Sequence, residues 1–288
     1  MTTIGIIGGS GLYEMQELEK IEHIGVSTPF GDPSDQILKG ELGGTTLMFL
    51  PRHGRGHRVA PHRINFRANL FALKRLGVEQ IISVSAVGSL KENLHPGDLV
   101  LIDQFIDRTR SRPSSFFEDQ NLVAHVEFAD PIDLGLQEAL HAAAGEVGAK
   151  VHKGGTYVCI EGPQFSTRAE SRLFRSWGAD VVGMTNVTEA RLAREAEIPY
   201  ATLAMVTDYD CWHETEQDVT IDNVLQVLRQ NVETARRIIA AVVARLPDPS
   251  QSPASSAMKY AIVTAPEHID AETRQRLAPL IGKYLPAN

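Results

Sequence analysis

Residues 64–88, INFRANLFALKRLGVEQIISVSAVG, decide how the chain is read. Phe66, Leu70, Leu73 and Leu76 recur at helical spacing, so Ile64–Leu76 predicts an amphipathic helix. Gln80–Val87 is apolar and β-branched and stops at Gly88, which predicts a buried strand. A helix that feeds directly into a buried strand is the repeating unit of an α/β fold. The same alternation continues on both sides. Upstream, Ile4–Ile7 is a short apolar strand ending in Gly8-Gly9-Ser10-Gly11, and Thr46–Leu50 is a strand ending at Pro51. Downstream come a strand at Leu99–Ile102, a helix at Leu136–Val147, and strands at Tyr157–Ile160, Val181–Val182 and Tyr200–Val206.

Asn186 followed by Glu189 resembles a capping box and predicts a helix from Asn186 to Glu197. Ile221, Val224, Leu225, Leu228, Val232, Ile239, Val242 and Leu246 hold a helical repeat over about seven turns. Pro247–Ser256, PDPSQSPASS, reads as a linker, and residues 257–288 as a short extension with a strand at Tyr260–Val263 and a helix at Ala271–Tyr284. The expected architecture is α/β, with a mixed, largely parallel twisted sheet flanked by helices. It has one domain over 1–246, a linker over 247–256 and an extension of unassigned role over 257–288. Such sheets collect ligands at the carboxyl ends of their strands.

Composition narrows the partners. The 288 residues carry 28 lysines and arginines against 36 aspartates and glutamates, a net charge of −8. That excludes a broad nucleic-acid surface, so a negative ligand would need a local pocket. Cys159 and Cys211 fit no metal spacing and are too few for a disulfide framework. The N-terminus lacks a basic segment and a long apolar core, and no apolar run reaches about 20 residues. A cytoplasmic protein without membrane contact is expected.

Five strand ends carry the chemistry. Gly8-Gly9-Ser10-Gly11 can turn backbone N–H groups toward an anion, although neither the dinucleotide fingerprint nor the P-loop lysine is present. Arg52 and His53, in PRHGRGH (51–57), follow an apolar strand; a guanidinium fork there suits phosphate, and a solvated basic loop is the plain alternative. No metal set forms, because His53, His57 and His62 have no cysteine or carboxylate nearby. Ser85-Ala86 can complete an anion cradle or serve close packing. Thr185 precedes a helix, where an anion is favoured, and Met184 offers an apolar surface to a flat ring or sugar, or to the core. Asp208 and Asp210, at i and i+2 after a strand, can point the same way, and such a pair pushes one pKa upward; composition alone slightly favours a plain surface turn.

Taken in this order, the segments resemble the trimeric purine nucleoside phosphorylase and methylthioadenosine phosphorylase superfamily, and most closely its methylthioadenosine branch. GIIGGSGL (5–12), TPFGDPSD (28–35), PRHGRGH (51–57), GSLKENLHPGDLVLIDQFIDRT (88–109), IEGPQFSTRAES (160–171), WGADVVGMTNVTEA (177–190) and AMVTDYDCW (204–212) carry the resemblance, which runs from Ile4 to about Leu246.

The resemblance implies phosphorolysis: phosphate attacks C1′ of a 5′-methylthio nucleoside, and adenine and 5-methylthioribose 1-phosphate leave, in purine and methionine salvage. It implies phosphate held by Ser10, Arg52, His53, Ser85, Ala86 and Thr185, with serine replacing the threonine many relatives have at 10 and 85. Met184 would pack under the ribose, and Phe165, Tyr209 and the aspartates would meet the base. Ser166, Ile221 and Leu225 would set specificity, the last two lining the methylthio pocket. His125 would reach into a neighbouring subunit's site in a homotrimer. Gly183 stands where some relatives place a polar side chain near the base. No cofactor is implied, since phosphate is a co-substrate. Asp208 and Asp210 favour a 6-amino purine, because relatives that bind 6-oxopurines would need an amide. That disfavours a purine nucleoside or methylthioinosine phosphorylase. A complete proton-donor set disfavours a non-catalytic binding protein, and the missing fingerprint disfavours an NAD-dependent dehydrogenase.

Overall fold

Seven helices and eleven strands alternate along the computed structural model, which describes residues 2–9, 11–213 and 221–285, with backbone alone for 221–225. The strands are β1 (Thr3–Gly8), β2 (Glu19–Ile24), β3 (Ile37–Leu42), β4 (Thr45–Pro51), β5 (Gln80–Ser89), β6 (Leu99–Leu101), β7 (Gln104–Arg108), β8 (Val151–Lys153), β9 (Thr156–Ile160), β10 (Val181–Gly183) and β11 (Tyr200–Asp208). The helices are α1 (Phe66–Arg75), α2 (Leu134–Glu146), α3 (Arg168–Ser176), α4 (Asn186–Glu195), α5 (Ile221–Val242), α6 (Ala271–Arg276) and α7 (Ala278–Ile281).

The strands form one sheet in the order β2-β3-β4-β1-β5-β10-β9-β7, with β11 branching from β5 and continuing to β6 and β8. Parallel pairing predominates, as β1 with β4 and β5, β11 with β5, β9 with β10 and β7, and β6 with β8. The β2–β3–β4 hairpins, β5–β10 and β6–β11 are antiparallel. The expected mixed, largely parallel sheet is therefore the fold observed.

The branch point positions the site. One edge of β5 pairs with β11 from Ile81 to Gly88. The other edge pairs with β1 only as far as Ser83, and β10 takes it up at Gly88. Between those two neighbours the edge at residues 84–87 opens, and Ala86 is exposed in the middle of an otherwise buried strand. Gly88 pairs with both Val182 and Asp208, so the sheet forks there. A Cβ on Gly88 would lie 3.0 Å from Asp208 Oδ1 and 3.3 Å from Asp210 Cβ. Glycine is what lets both aspartates approach the fork.

Local chemistry explains the helix ends. Asn65 caps α1 by accepting from the Ala68 N–H at 3.1 Å, and Asp133 caps α2 by accepting from Leu136 at 2.7 Å. The capping box lies elsewhere than expected. Thr167 and Glu170 exchange both bonds at the start of α3, 2.8 and 3.2 Å. α4 instead begins after Thr185 with no side-chain cap, and Asn186 and Glu189 are buried and turned into the sheet. Strands β2, β3, β7 and β8 escape a periodicity reading. β2, EKIEHI, is an exposed edge strand whose charges mask any alternation.

Residues 247–285 fold onto the same body. Gln80 donates to the Pro247 carbonyl at 2.7 Å, and two 3₁₀ turns span Pro249–Gln251 and Pro253–Ser256. Met258, Ile269, Leu277, Leu280 and Ile281 join the main apolar core. Glu197 anchors the segment by accepting from the Met258 N–H at 3.0 Å, from the Tyr284 hydroxyl and from Lys283 Nζ at 2.6 Å. In place of a strand at 260–263 there is one bridge, Ala124 with Ile262, and the helix expected over 271–284 breaks at Leu277 before Pro279. Proline at the start of α7 has no N–H to continue α6.

Candidate active site

The ends of β1, β4, β5, β10 and β11 converge at the fork, and Arg52, His53, Ser85, Ala86, Thr185, Asp208 and Asp210 lie on or directly after those strands. At the anion end, Arg52 follows β4 and is 3% exposed. Its guanidinium grips Glu189 of α4 in a bidentate pair, Nε to Oε1 and Nη2 to Oε2 at 3.1 Å. Nη2 also donates to Ser83 Oγ at 2.6 Å and Nη1 to the Val84 carbonyl at 3.0 Å. That leaves one Nη1 N–H without an acceptor among the described residues. His53 donates Nδ1–H to the Val59 carbonyl at 2.8 Å, which leaves the Nε2 lone pair free. Burial, then the adjacent Arg52 charge, push its pKa down to about 4. The ring stacks on His57 with centroids 4.2 Å apart.

Ser85 is buried, Ala86 is exposed beside it, and Thr185 is buried at the start of α4 with its hydroxyl 3.3 Å from Asn186 Oδ1. Asn186 does not cap the helix; its amide donates to Ser83 Oγ at 2.9 Å, the Tyr200 hydroxyl at 2.9 Å and Thr202 Oγ1 at 3.0 Å. Ser10 lies outside the described residues, as do the side chains of Ile221 and Leu225.

At the base end, Asp208 Oδ2 accepts from Thr207 Oγ1 and Oδ1 from the Asp210 N–H, both at 2.7 Å. Burial raises its pKa, and those two bonds oppose the rise. Asp210 is 9% exposed and sits at φ +52, which turns its side chain back toward the fork. Burial pushes its carboxyl up to about 6, and the charge of Asp208 adds to that. Asp210 Oδ2, Ser166 Oγ and Ser171 Oγ are buried polar atoms with no hydrogen-bond partner among the described residues. Buried polar groups of that kind signal a ligand-facing surface. Ser171, in the first turn of α3, carried no sequence signal of its own.

The other candidates are placed as follows. Met184 is half-buried, and its carbonyl accepts from Arg112 Nη1 at 2.5 Å. Arg112, also unflagged by sequence, donates in addition to Glu161 at 2.8 Å and to the Ile160 and Glu161 carbonyls, tying the ends of β9 and β10 together. Phe165, between β9 and α3, is 64% exposed. Tyr209 turns away from the aspartates; its hydroxyl meets His95 and its ring stacks on His213. His125 is exposed, its N–H held by the Ala261 carbonyl at 2.9 Å. A Cβ on Gly183 would meet the buried Tyr157 hydroxyl at 2.0 Å, so the space beside that glycine is filled by Tyr157 and is not open to water.

The model of the phosphorylase superfamily matches residues 3–244. The chain belongs to the phosphorylase superfamily. It is 54% identical to the S-methyl-5′-thioadenosine phosphorylase of Geobacter sulfurreducens, covering 98% of this chain and 99% of that one. A methylthioadenosine phosphorylase from an antarctic soil metagenomic library superposes with a TM-score of 0.92 at 51% identity, covering 97% and 98% of the two chains. A Schistosoma mansoni adenosine/methylthioadenosine phosphorylase variant solved with methylthioadenosine superposes with a TM-score of 0.80 at 39% identity, covering 85% and 91%. Among the described residues, no helix is long and apolar enough to cross a membrane.

Proposed function

We propose that this protein is a pentosyltransferase that cleaves S-methyl-5′-thioadenosine with inorganic phosphate, releasing adenine and 5-methylthioribose 1-phosphate. A phosphate oxygen bonds to C1′ as the C1′–N9 bond breaks, and that bond's electrons enter the purine. The purine must then gain a proton, and the Asp208–Asp210 pair supplies it at N7. The observation that carries this reading is the Asp210 carboxyl, buried at the fork with Oδ2 unpaired and its pKa pushed up to about 6. Such a group is a proton donor near neutral pH, an effect of roughly 10²–10⁴ in rate. Two carboxyls can also accept from a 6-amino group, which an amide suited to 6-oxopurines would not favour.

Phosphate takes the anion end: the free Nη1 N–H of Arg52, Ser85, the edge of β5 at Ala86, and Thr185, with Ser10 on the glycine turn, while the Nε2 lone pair of His53 accepts from a P–OH of hydrogen phosphate. Met184 lies under the ribose, Phe165 closes over the base, and Ser166 faces Asp210. Ile221 and Leu225 are proposed for the methylthio pocket. His125 is proposed to enter a neighbouring site in a homotrimer, a role its exposure supports. We also place the enzyme in the cytoplasm, in purine and methionine salvage, without cofactor, nucleic acid or membrane. A panel of methylthioadenosine, methylthioinosine, adenosine and inosine, with and without phosphate, tests the reading. Adenine release from methylthioadenosine only with phosphate supports it. Preference for methylthioinosine, or release without phosphate, refutes it.

A further inference from the structure

The anion end contains two basic side chains among the proposed phosphate ligands, and neither brings a net charge. The Arg52 cation is cancelled by the Glu189 carboxylate in the bidentate pair, with side chains 3% and 1% exposed. His53 is a neutral imidazole near neutral pH: its Nδ1–H is held by the Val59 carbonyl, and burial and the adjacent Arg52 disfavour a second proton. Glu189 is itself saturated: besides both guanidinium bonds, Oε2 accepts from Ser83 Oγ at 2.8 Å and from the Tyr200 hydroxyl at 3.0 Å. Ser83 in turn accepts from Arg52 and Asn186. The cluster joins β4, β5, α4 and β11 beneath the place proposed for phosphate, and every polar group in it other than one Nη1 N–H of Arg52 is turned inward.

We infer that Glu189 is a positioning residue that fixes Arg52 and deliberately weakens phosphate binding by removing its charge from the anion pocket. The inference rests on the phosphate site proposed above. A full guanidinium charge would hold the attacking phosphate, and then the sugar phosphate product, in a deep ground state. Tight ground-state binding gains nothing once phosphate exceeds its KM, and it slows product departure. With Glu189 in place, one N–H, the backbone at the open edge of β5 and the start of α4 orient the phosphate without a net cation.

The test is Glu189→Gln, read in phosphate KM, nucleoside KM, kcat, and the thermal shift caused by phosphate. Loss of the carboxylate leaves Arg52 buried and unpaired, so phosphate becomes its counterion. Phosphate KM should fall on the order of tenfold, kcat should fall, nucleoside KM should stay within about twofold, and phosphate should raise Tm more than in the wild type. Recovery of folded E189Q only in phosphate buffer also supports the inference. A phosphate KM that is unchanged or raised overturns it. Should E189Q not fold in either buffer, Glu189→Asp decides, because it keeps the charge and shortens the reach. A phosphate KM within about threefold of the wild type supports a role for charge, and a larger rise overturns it. Absence of phosphate-dependent cleavage in the wild type would refute the proposed function instead, so the two failures are separable.

Discussion

Asp210→Asn separates the catalytic use of the buried carboxyl from its cost to the fold. In the wild type the Asp210 pKa is pushed from 3.8 to about 6, first by burial and then by the charge of Asp208. The folded state therefore binds more protons than the unfolded state across that interval. Stability is fully present below about pH 3.8 and is lost as pH rises through about 6. The interval corresponds to about 3 kcal/mol, an upper bound because buried carboxylates relax. Asparagine occupies the same volume and carries no charge at any pH. At pH 8 the variant should unfold several degrees higher than the wild type, and at pH 4 the gap should close. Activity should move the opposite way. An amide can donate a hydrogen bond to N7 but cannot release the proton, so kcat/KM should fall about 10²–10⁴. Thermal unfolding at the two pH values, with kcat/KM on methylthioadenosine at pH 7, measures both. A variant destabilised equally at pH 4 and pH 8 would refute the burial argument, and one with normal kcat/KM would refute the proton-donor role.

Two further substitutions address packing and assembly. Gly183→Ala places a methyl 2.0 Å from the Tyr157 hydroxyl, so it should destabilise the protein by about 2–3 kcal/mol, and Tyr157→Leu in the same chain should recover part of the loss; urea midpoints of the single and double variants check this. His125→Ala should raise the nucleoside KM by about tenfold while light scattering still reports a trimer, whereas an active wild-type monomer would remove the proposed role of His125.

The sheet and the site were legible to different degrees, for physical reasons. Buried central strands such as β1, β5 and β11 declare themselves by unbroken apolar runs. Edge strands such as β2 have one solvated face and look like loops. At the site, glycines and acidic residues stand out because they are unusual at strand ends, so Asp208, Asp210 and Arg52 were visible. Their supporting groups were not. Ser171 and Tyr157 are ordinary residues of a helix and a strand, and only the fold brings their hydroxyls to Asp210 and Gly183. Asn186 and Glu189 show the sharper failure. Their spacing fits a capping box, yet the sheet offers both side chains stronger partners, and a buried guanidinium outweighs an orphan N–H at a helix start. The sequence pattern is local, and the competition is tertiary.

That competition also explains how the two ends of the site complement one another. At the proposed anion end a cation is present and cancelled; at the proposed base end two carboxyls are buried, which favours their protonated forms. Each end is thus close to neutral before reaction, and burial is tolerable because neither end carries a bare charge. As C1′–N9 breaks, the sugar becomes cationic between the phosphate anion and an aspartate pair that is giving up its proton. The phosphate anion is already present on one side of the sugar, and on the proposed reading negative charge develops on the aspartate pair as positive charge appears on the sugar. In the proposed mechanism the aspartate pair adds its field only along the reaction coordinate, which is what differential stabilisation of a transition state requires. On this proposal burial does two things: it keeps the Arg52–Glu189 pair neutral and it favours the protonated form of Asp210. Neither would hold on a solvated loop, where full charge on both groups would be favoured and the discrimination between ground state and transition state would be lost.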